Sequence, residues 1–367
     1  MFRVWGFAHR CVVLLRSLPC PWSGSKDLTV NNTRRNGKVI NIIARIPGTL
    51  PRADDHPVII GNHRDAWVFG AADPNSGSVA MVEVARGLAT AWSRGWRPQR
   101  TVVFGSWDAE ELGIIGSTAY AESNAAFVQT ASVYINVDTA ASGPQFGAGA
   151  SPSAIDAMVS AAAALDAEAA DGAVRFELRA DQVGALGGGS DYAPFLNHLG
   201  VASLNFGFDM PGGYPVYHSI YDSFHWMTQD WSVAASGDPN FDRHVACARL
   251  WALLTMRMAS GELLPLSVAT HGVRFEAYVN AAAAALQSSS IPTRIIEPLQ
   301  ANATAYRAAT AAFMDRINNN ATERSLRETQ GNNTVLVLNE QAFLNPAGLP
   351  VCWQPPILPC VRHRARA

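Results

Sequence analysis

The chain lacks any run approaching the ~20 consecutive apolar residues that a membrane-spanning helix needs, although 48% of its 367 residues are hydrophobic. The apolar residues fall instead in short runs between turns, the habit of a globular protein of one large or two medium domains. An excess of positive charge is also missing. Lys and Arg number 28 against 30 Asp and Glu, a formal charge of −2, which argues against nucleic acid as a partner. Cysteine is scarce: Cys11, Cys20, Cys247, Cys352 and Cys360 show no CxxC or zinc-finger spacing, so neither a thiolate metal site nor a dense disulfide framework is indicated. Near the start, Arg3, Arg10 and Arg16 surround the apolar patch Cys11 to Leu15, too broken for a signal-peptide core of roughly 7–15 apolar residues. Asn31, Asn302, Asn320 and Asn332 open Asn-x-Ser/Thr sequons, which permit glycosylation in a secretory compartment.

Foldable text begins near Lys38. VINIIARIPG predicts a strand that stops at Pro47-Gly48, and Val58-Ile-Ile60 a strand buried on both faces. Ser78 to Ala89 has helical spacing, Thr101 to Gly105 is a further strand, and SWDAEELG an acidic loop before a helix from about Ser117 to Val128. Ser132 to Val137 is a strand that delivers Asp138, and Ser153 to Ala170 an Ala-rich helix. Ala173 to Arg179 and Gly200 to Phe206 read as strands on either side of the Gly-rich run at 186–191. This alternation predicts an α/β fold with a mostly parallel central sheet flanked by helices. From about Asp242 the text becomes helix-rich (HVACARLWALLTMRMA, Phe275 to Leu286, Ile296 to Asn318), which predicts a separate bundle-like domain.

Polar residues with metal-binding chemistry stand where these strands end or loops return: His63 and Asp73, the pair Glu110-Glu111, Asp138, and His218 in GYPVYHSIYD. Each alone has a plainer reading as a core histidine, a solvated acidic face or a helix cap. Together, carboxylate oxygens and neutral imidazoles suit Zn²⁺ or a similar ion, and two ions can share a bridging carboxylate and a water. Five ligands with one shared favour two metals over one. Adjacent side chains in an extended segment point to opposite sides, so one of Glu110 and Glu111 is expected to bind metal and the other to act as general base. Asp65, two residues past His63, is placed to orient that imidazole through its other nitrogen.

NHRDAWVFGAADPNSG, GWRPQRTVVFGSWDAEELGIIGS, VYINVD, LGGGSDYAPFLNHLGVAS and GYPVYHSIYDS resemble, in order and spacing, the glutamate carboxypeptidase II and transferrin-receptor branch of the M28 zinc metallopeptidases. The resemblance covers about Gly37 to Pro350 and implies a zinc exopeptidase (phosphorylase/hydrolase-like) fold. It implies two Zn²⁺, with His63 and Asp138 on one, Glu111 and His218 on the other, Asp73 bridging, and Glu110 as proton shuttle. Tyr217 then stabilises the tetrahedral intermediate or contacts substrate, and Gly189 and Ser190 contact the substrate backbone. It further implies residues 37–236 as the peptidase domain and 237–350 as an incomplete helical dimerisation domain of a homodimer, with 1–36 unassigned and 351–367 a divergent tail.

The activity implied is hydrolysis of peptide bonds at chain ends, carboxypeptidase-type, in a secretory, vacuolar or extracellular-facing setting. An aminopeptidase of the same family and a non-catalytic receptor-like or truncated protein are the alternatives. Departures from the family pattern bear on substrate choice. The family's protease-associated domain, with its carboxylate-binding arginine, is missing before Val39. Ala148, Asn205 and Gly207 stand about where an arginine patch selects an acidic residue. Of the family's calcium ligands Glu122 remains, whereas Ala119 replaces another.

Overall fold

Val58–His63 (β2), Val102–Trp107 (β3) and Val133–Asn136 (β4) are almost wholly buried, as strands covered on both faces must be. The computed structural model describes residues 36–229, 237–286, 293–319 and 324–345. In it β2 lies between the other two and pairs parallel to both, Val58 opposite Val102 on one side and Val133 on the other. Ser203–Asp209 (β6) extends the parallel set beside β4. Antiparallel edges close it: Ile42–Ile46 (β1) on β3 and Gln145–Ala150 (β5) on β6, for the order β1-β3-β2-β4-β6-β5.

Strand side chains alternate between two helical layers. Val58, Ile60, Val102, Phe104, Val133 and Ile135 enter one core with helices Asn75–Ser93 (α1), Ile155–Glu168 (α4) and Asp242–Ser260 (α6). Ile59, Val103 and Tyr134 face the other, with Ile115–Ser123 (α2), Ala125–Val128 (α3) and Phe195. Cys247, Leu250, Trp251 and Leu254 of α6 are fully buried in the first core. The change of character at Asp242 therefore marks a rise in helix content and not the end of the sheet's core, and the described residues from Val39 onward belong to one compact unit.

Other expectations needed correction. Ala173 to Arg179 is not a strand: the Phe176 and Glu177 amides donate to the Asp166 carboxylate, both at 2.8 Å, and Glu177 adopts a φ of 47°. The edge strand is β5, whose QFGAGA sequence has little strand propensity. Glu110 and Glu111 are not extended but lie in a turn, closed by the Gly113 and Ile114 amides on the Glu110 carbonyl. The 117–128 helix breaks at Asn124 into α2 and α3.

The short helix Phe224–Thr228 (α5) precedes α6. Val268–Leu286 (α7), Thr293–Asn319 (α8) and Leu326–Gln341 (α9) follow α6. The Tyr306 hydroxyl lies 3.0 Å from His271 Nδ1 and donates to Asn339 at 2.6 Å, joining these helices. Ser153 donates to Glu340 at 2.7 Å, joining α9 to the start of α4. Among the described residues no helix is long and apolar enough to cross a membrane. The 1–35 segment, the 351–367 tail and the sequons at Asn31 and Asn320 lie outside the described residues.

Candidate metal centre

His63 ends β2, Glu110 and Glu111 follow β3, and Asp138 lies just past β4. The chain moves from β2 to β3 on one side and then crosses to β4 on the other. Such a reversal opens a crevice beyond the carboxyl ends of the strands, where α/β sheets bind ligands. Gly77 lets the start of α1 approach that edge, because a Cβ there would collide with the Val137 and Asp138 carbonyls.

Asp73 faces two histidines. Its Oδ1 lies 3.1 Å from His63 Nε2 and its Oδ2 3.2 Å from His218 Nε2. His63 Nε2 is also 3.2 Å from Asp138 Oδ1, and His218 Nε2 3.1 Å from Glu111 Oε2. One histidine and one acid thus stand on each side of Asp73. Glu110 is outside these contacts, although its neighbour Glu111 is within them.

Surrounding hydrogen bonds fix this arrangement. The Asp65 carbonyl accepts from His63 Nδ1 at 3.0 Å, while the nearest Asp65 carboxylate oxygen is 3.7 Å away. The imidazole is therefore oriented by the backbone of Asp65 rather than by its side chain. The side chain instead accepts the amides of Glu110 (3.0 Å) and Glu111 (3.1 Å). Asp138 accepts a short bond from the Ser190 hydroxyl, which accepts from Asn136 at 3.0 Å. Asn136 in turn accepts from Tyr134 (2.7 Å), and Tyr134 from Trp107 (2.9 Å). Ser190 is thus buried and directed at Asp138, whereas Gly189 is exposed beside open space. The Tyr217 ring stacks on His218, with centroids 3.6 Å apart and 22° between planes.

Burial pushes the Glu110 carboxyl up to about 8, opposed by His63 and reinforced by Asp138 and Asp191. Burial and then Asp73 push Glu111 up to about 7. Asp191, buried with one oxygen bound by Ser117, is also raised by burial to about 7. Burial disfavours the His63 imidazolium, but the negative carboxylates around it, Asp138 first and then Asp65 and Asp73, outweigh it and raise its pKa. For Asp138, burial is outweighed by His63 and Ser190, and its pKa falls. Carboxylates so crowded call for positive charge.

The donor set fits a divalent cation. Asp73 Oδ1 and Glu111 Oε1 are buried without a hydrogen-bond partner, a costly state that a cation relieves. Donor atoms of His63, Asp73 and Glu111 lie within 4.8 Å of one another, and imidazole nitrogen with carboxylate oxygen suits zinc. Sequence reasoning gave no role to Asn136, Asp191 or Asp222, although all three lie in the quoted motifs VYINVD, LGGGSDYAPFLNHLGVAS and GYPVYHSIYDS. Asp222 accepts the amides of Ala72 and Asp73.

Residues 41–236 match the model of peptidase family M28. The chain is 41% identical over 266 residues to "Probable glutamate carboxypeptidase LAMP1" of Arabidopsis thaliana, which covers 70% of this chain and 37% of that protein. It is 35% identical over 348 residues to "Probable glutamate carboxypeptidase" of Arthroderma benhamiae, 90% of this chain and 46% of that one. With "Aminopeptidase NAALADL1" of Mus musculus it shares 31% identity over 366 residues, 91% and 48% of the respective lengths. The chain spans less than half the length of each. A match of the family model across both sheet and site is decisive: the chain belongs to peptidase family M28.

Proposed function

We propose that this chain is a co-catalytic dizinc exopeptidase of the carboxypeptidase type. His63 and Asp138 would hold one ion and Glu111 and His218 the other, with Asp73 offering one carboxylate oxygen to each side. The observation that supports this most is the two-sided placement of Asp73, one oxygen toward each histidine. Zinc bound there would supply Lewis-acid polarisation of the scissile carbonyl and a water of pKa lowered toward ~7. Glu110, whose own pKa is raised by burial, takes the proton of the attacking water and returns it to the leaving amine. Tyr217, raised to about 12 chiefly by burial, keeps its proton at neutral pH and donates a hydrogen bond to the developing oxyanion.

The carboxypeptidase assignment is supported by the names of the Arabidopsis and Arthroderma relatives. A second reading, removal of N-terminal residues, is favoured by Arg64. Its guanidinium donates to the Ile40 carbonyl and to Ser106 and lies 3.8 Å from Asp108, so this neighbour of His63 is engaged elsewhere and not held ready for a substrate carboxylate. The mouse relative is named an aminopeptidase. Hydrolysis of N-blocked against C-blocked dipeptides, with and without Glu110→Ala, tests both. Glu110-dependent release of the C-terminal residue supports the first reading, whereas cleavage only of C-blocked substrate supports the second. Zinc uptake without turnover identifies a non-catalytic form. By the family resemblance of its sequence, the helical region at 237–350 would pair with a second copy, which a chain sedimenting as a monomer in analytical ultracentrifugation would refute.

A further inference from the structure

The two loops that meet at the His218 side of the centre share no strand. One, residues 70–73, precedes α1; the other, residues 214–222, follows β6. His218 adopts a φ of 54°, in the left-handed region that non-glycine residues occupy only when neighbouring contacts hold them there. Within its own loop, the Ser219 amide donates to the Val216 carbonyl at 3.1 Å and the Asp222 amide to the Ser219 carbonyl at 3.2 Å. From Asp222, three further bonds cross to the other loop. The Ala71 amide donates to its carbonyl at 3.2 Å, and the amides of Ala72 and Asp73 donate to Oδ1 and Oδ2 at 2.8 and 3.1 Å. Asp222 is only 2% exposed.

We propose that Asp222 is a positioning residue that locks the His218 loop onto the Asp73 loop and so sets the second ion position. This assignment rests on the dizinc reading. Both carboxylate oxygens are committed to consecutive amides, so Asp73 cannot move without moving the loop that holds His218 in its left-handed conformation. The other side of the centre is fixed separately, His63 by the Asp65 carbonyl and Asp138 by Ser190. Loss of Asp222 therefore affects the two positions unequally.

Zinc titration of the full chain with a competing chelator, and visible spectra of its cobalt form, test this in Asp222→Ala, Asp222→Asn and Asp222→Glu. The parent binds two ions. In the Ala and Asn variants one ion keeps its affinity within about threefold, while the other weakens about 10–100-fold, the usual effect of removing a group that orients a ligand. Asp222→Glu, which keeps two acceptor oxygens, recovers part of the loss, and adding His218→Ala to Asp222→Asn weakens the affected ion less than additively. Parent affinities at both positions in a folded Asn variant overturn the assignment, as does equal weakening at both. A parent that binds fewer than two ions overturns the dizinc reading first, and this assignment with it.

Discussion

The carboxylate of Asp65 accepts the backbone amide of Glu111 at 3.1 Å and, through its other oxygen, that of Glu110 at 3.0 Å. One side chain on the loop after β2 thereby sets the turn after β3. Asp65→Ala leaves two amides without their acceptor and lets both glutamates drift. Turnover is expected to fall about 10–100-fold, with an unchanged far-ultraviolet spectrum. Parent turnover in this variant would mean the turn holds without Asp65.

Glu110→Gln is nearly isosteric but cannot accept a proton. It is expected to lower kcat by about 10²–10⁴-fold and to leave zinc content unchanged, since Glu110 lies outside the Asp73 contacts. Steady-state kinetics together with metal analysis check this. Loss of metal along with rate would make Glu110 a ligand instead.

Tyr217→Phe keeps the ring stacked on His218 and removes only the hydroxyl. An oxyanion donor contributes about 10²–10³-fold to kcat, so the loss is expected in kcat and not in KM. A change confined to KM would assign the hydroxyl to substrate binding.

Much of this centre was legible because the apolar runs of β2 and β4 end close to His63 and Asp138, and burial forces such strands to present polar residues only at their ends. The hydrogen bonds that hold the centre were not. Asp222 meets Ala72 and Asp73 through their backbone amides, which have no side-chain signature in either segment. The Ser190 hydroxyl, held by Asn136 and donated to Asp138, is a contact that the Gly-rich run does not announce. In the fold, Gly-rich β5 and polar α9 lack strong periodicity. The α9 helix is announced only by its Ser325/Glu328 capping box.

The burial of α6 against the sheet gives a stability test. Leu254 is fully buried in the core shared with β2 and β4. Leu254→Ala is expected to cost about 2–5 kcal/mol, measured by chemical denaturation of the whole chain. A change below about 0.5 kcal/mol, typical of exposed sites, would place α6 outside the catalytic core.

Asp238 provides a pH test away from the centre. Burial raises its pKa, but hydrogen bonds from the His244 side chain and amide outweigh this and hold it below its ordinary value. A depressed carboxylate stabilises the fold at pH above its unfolded pKa of ~3.9, and that contribution disappears as pH falls through the folded value. Melting temperature is expected to drop on acidification below pH ~4 more steeply in the parent than in Asp238→Asn. Equal slopes would remove Asp238 from the acid response.

The most direct measurement is zinc per chain by elemental analysis of the dialysed parent, His63→Ala and His218→Ala. If Asp73 bridges two ions, the parent holds two and each variant retains one. A parent with a single ion, unaffected by His218→Ala, would contradict the dizinc centre.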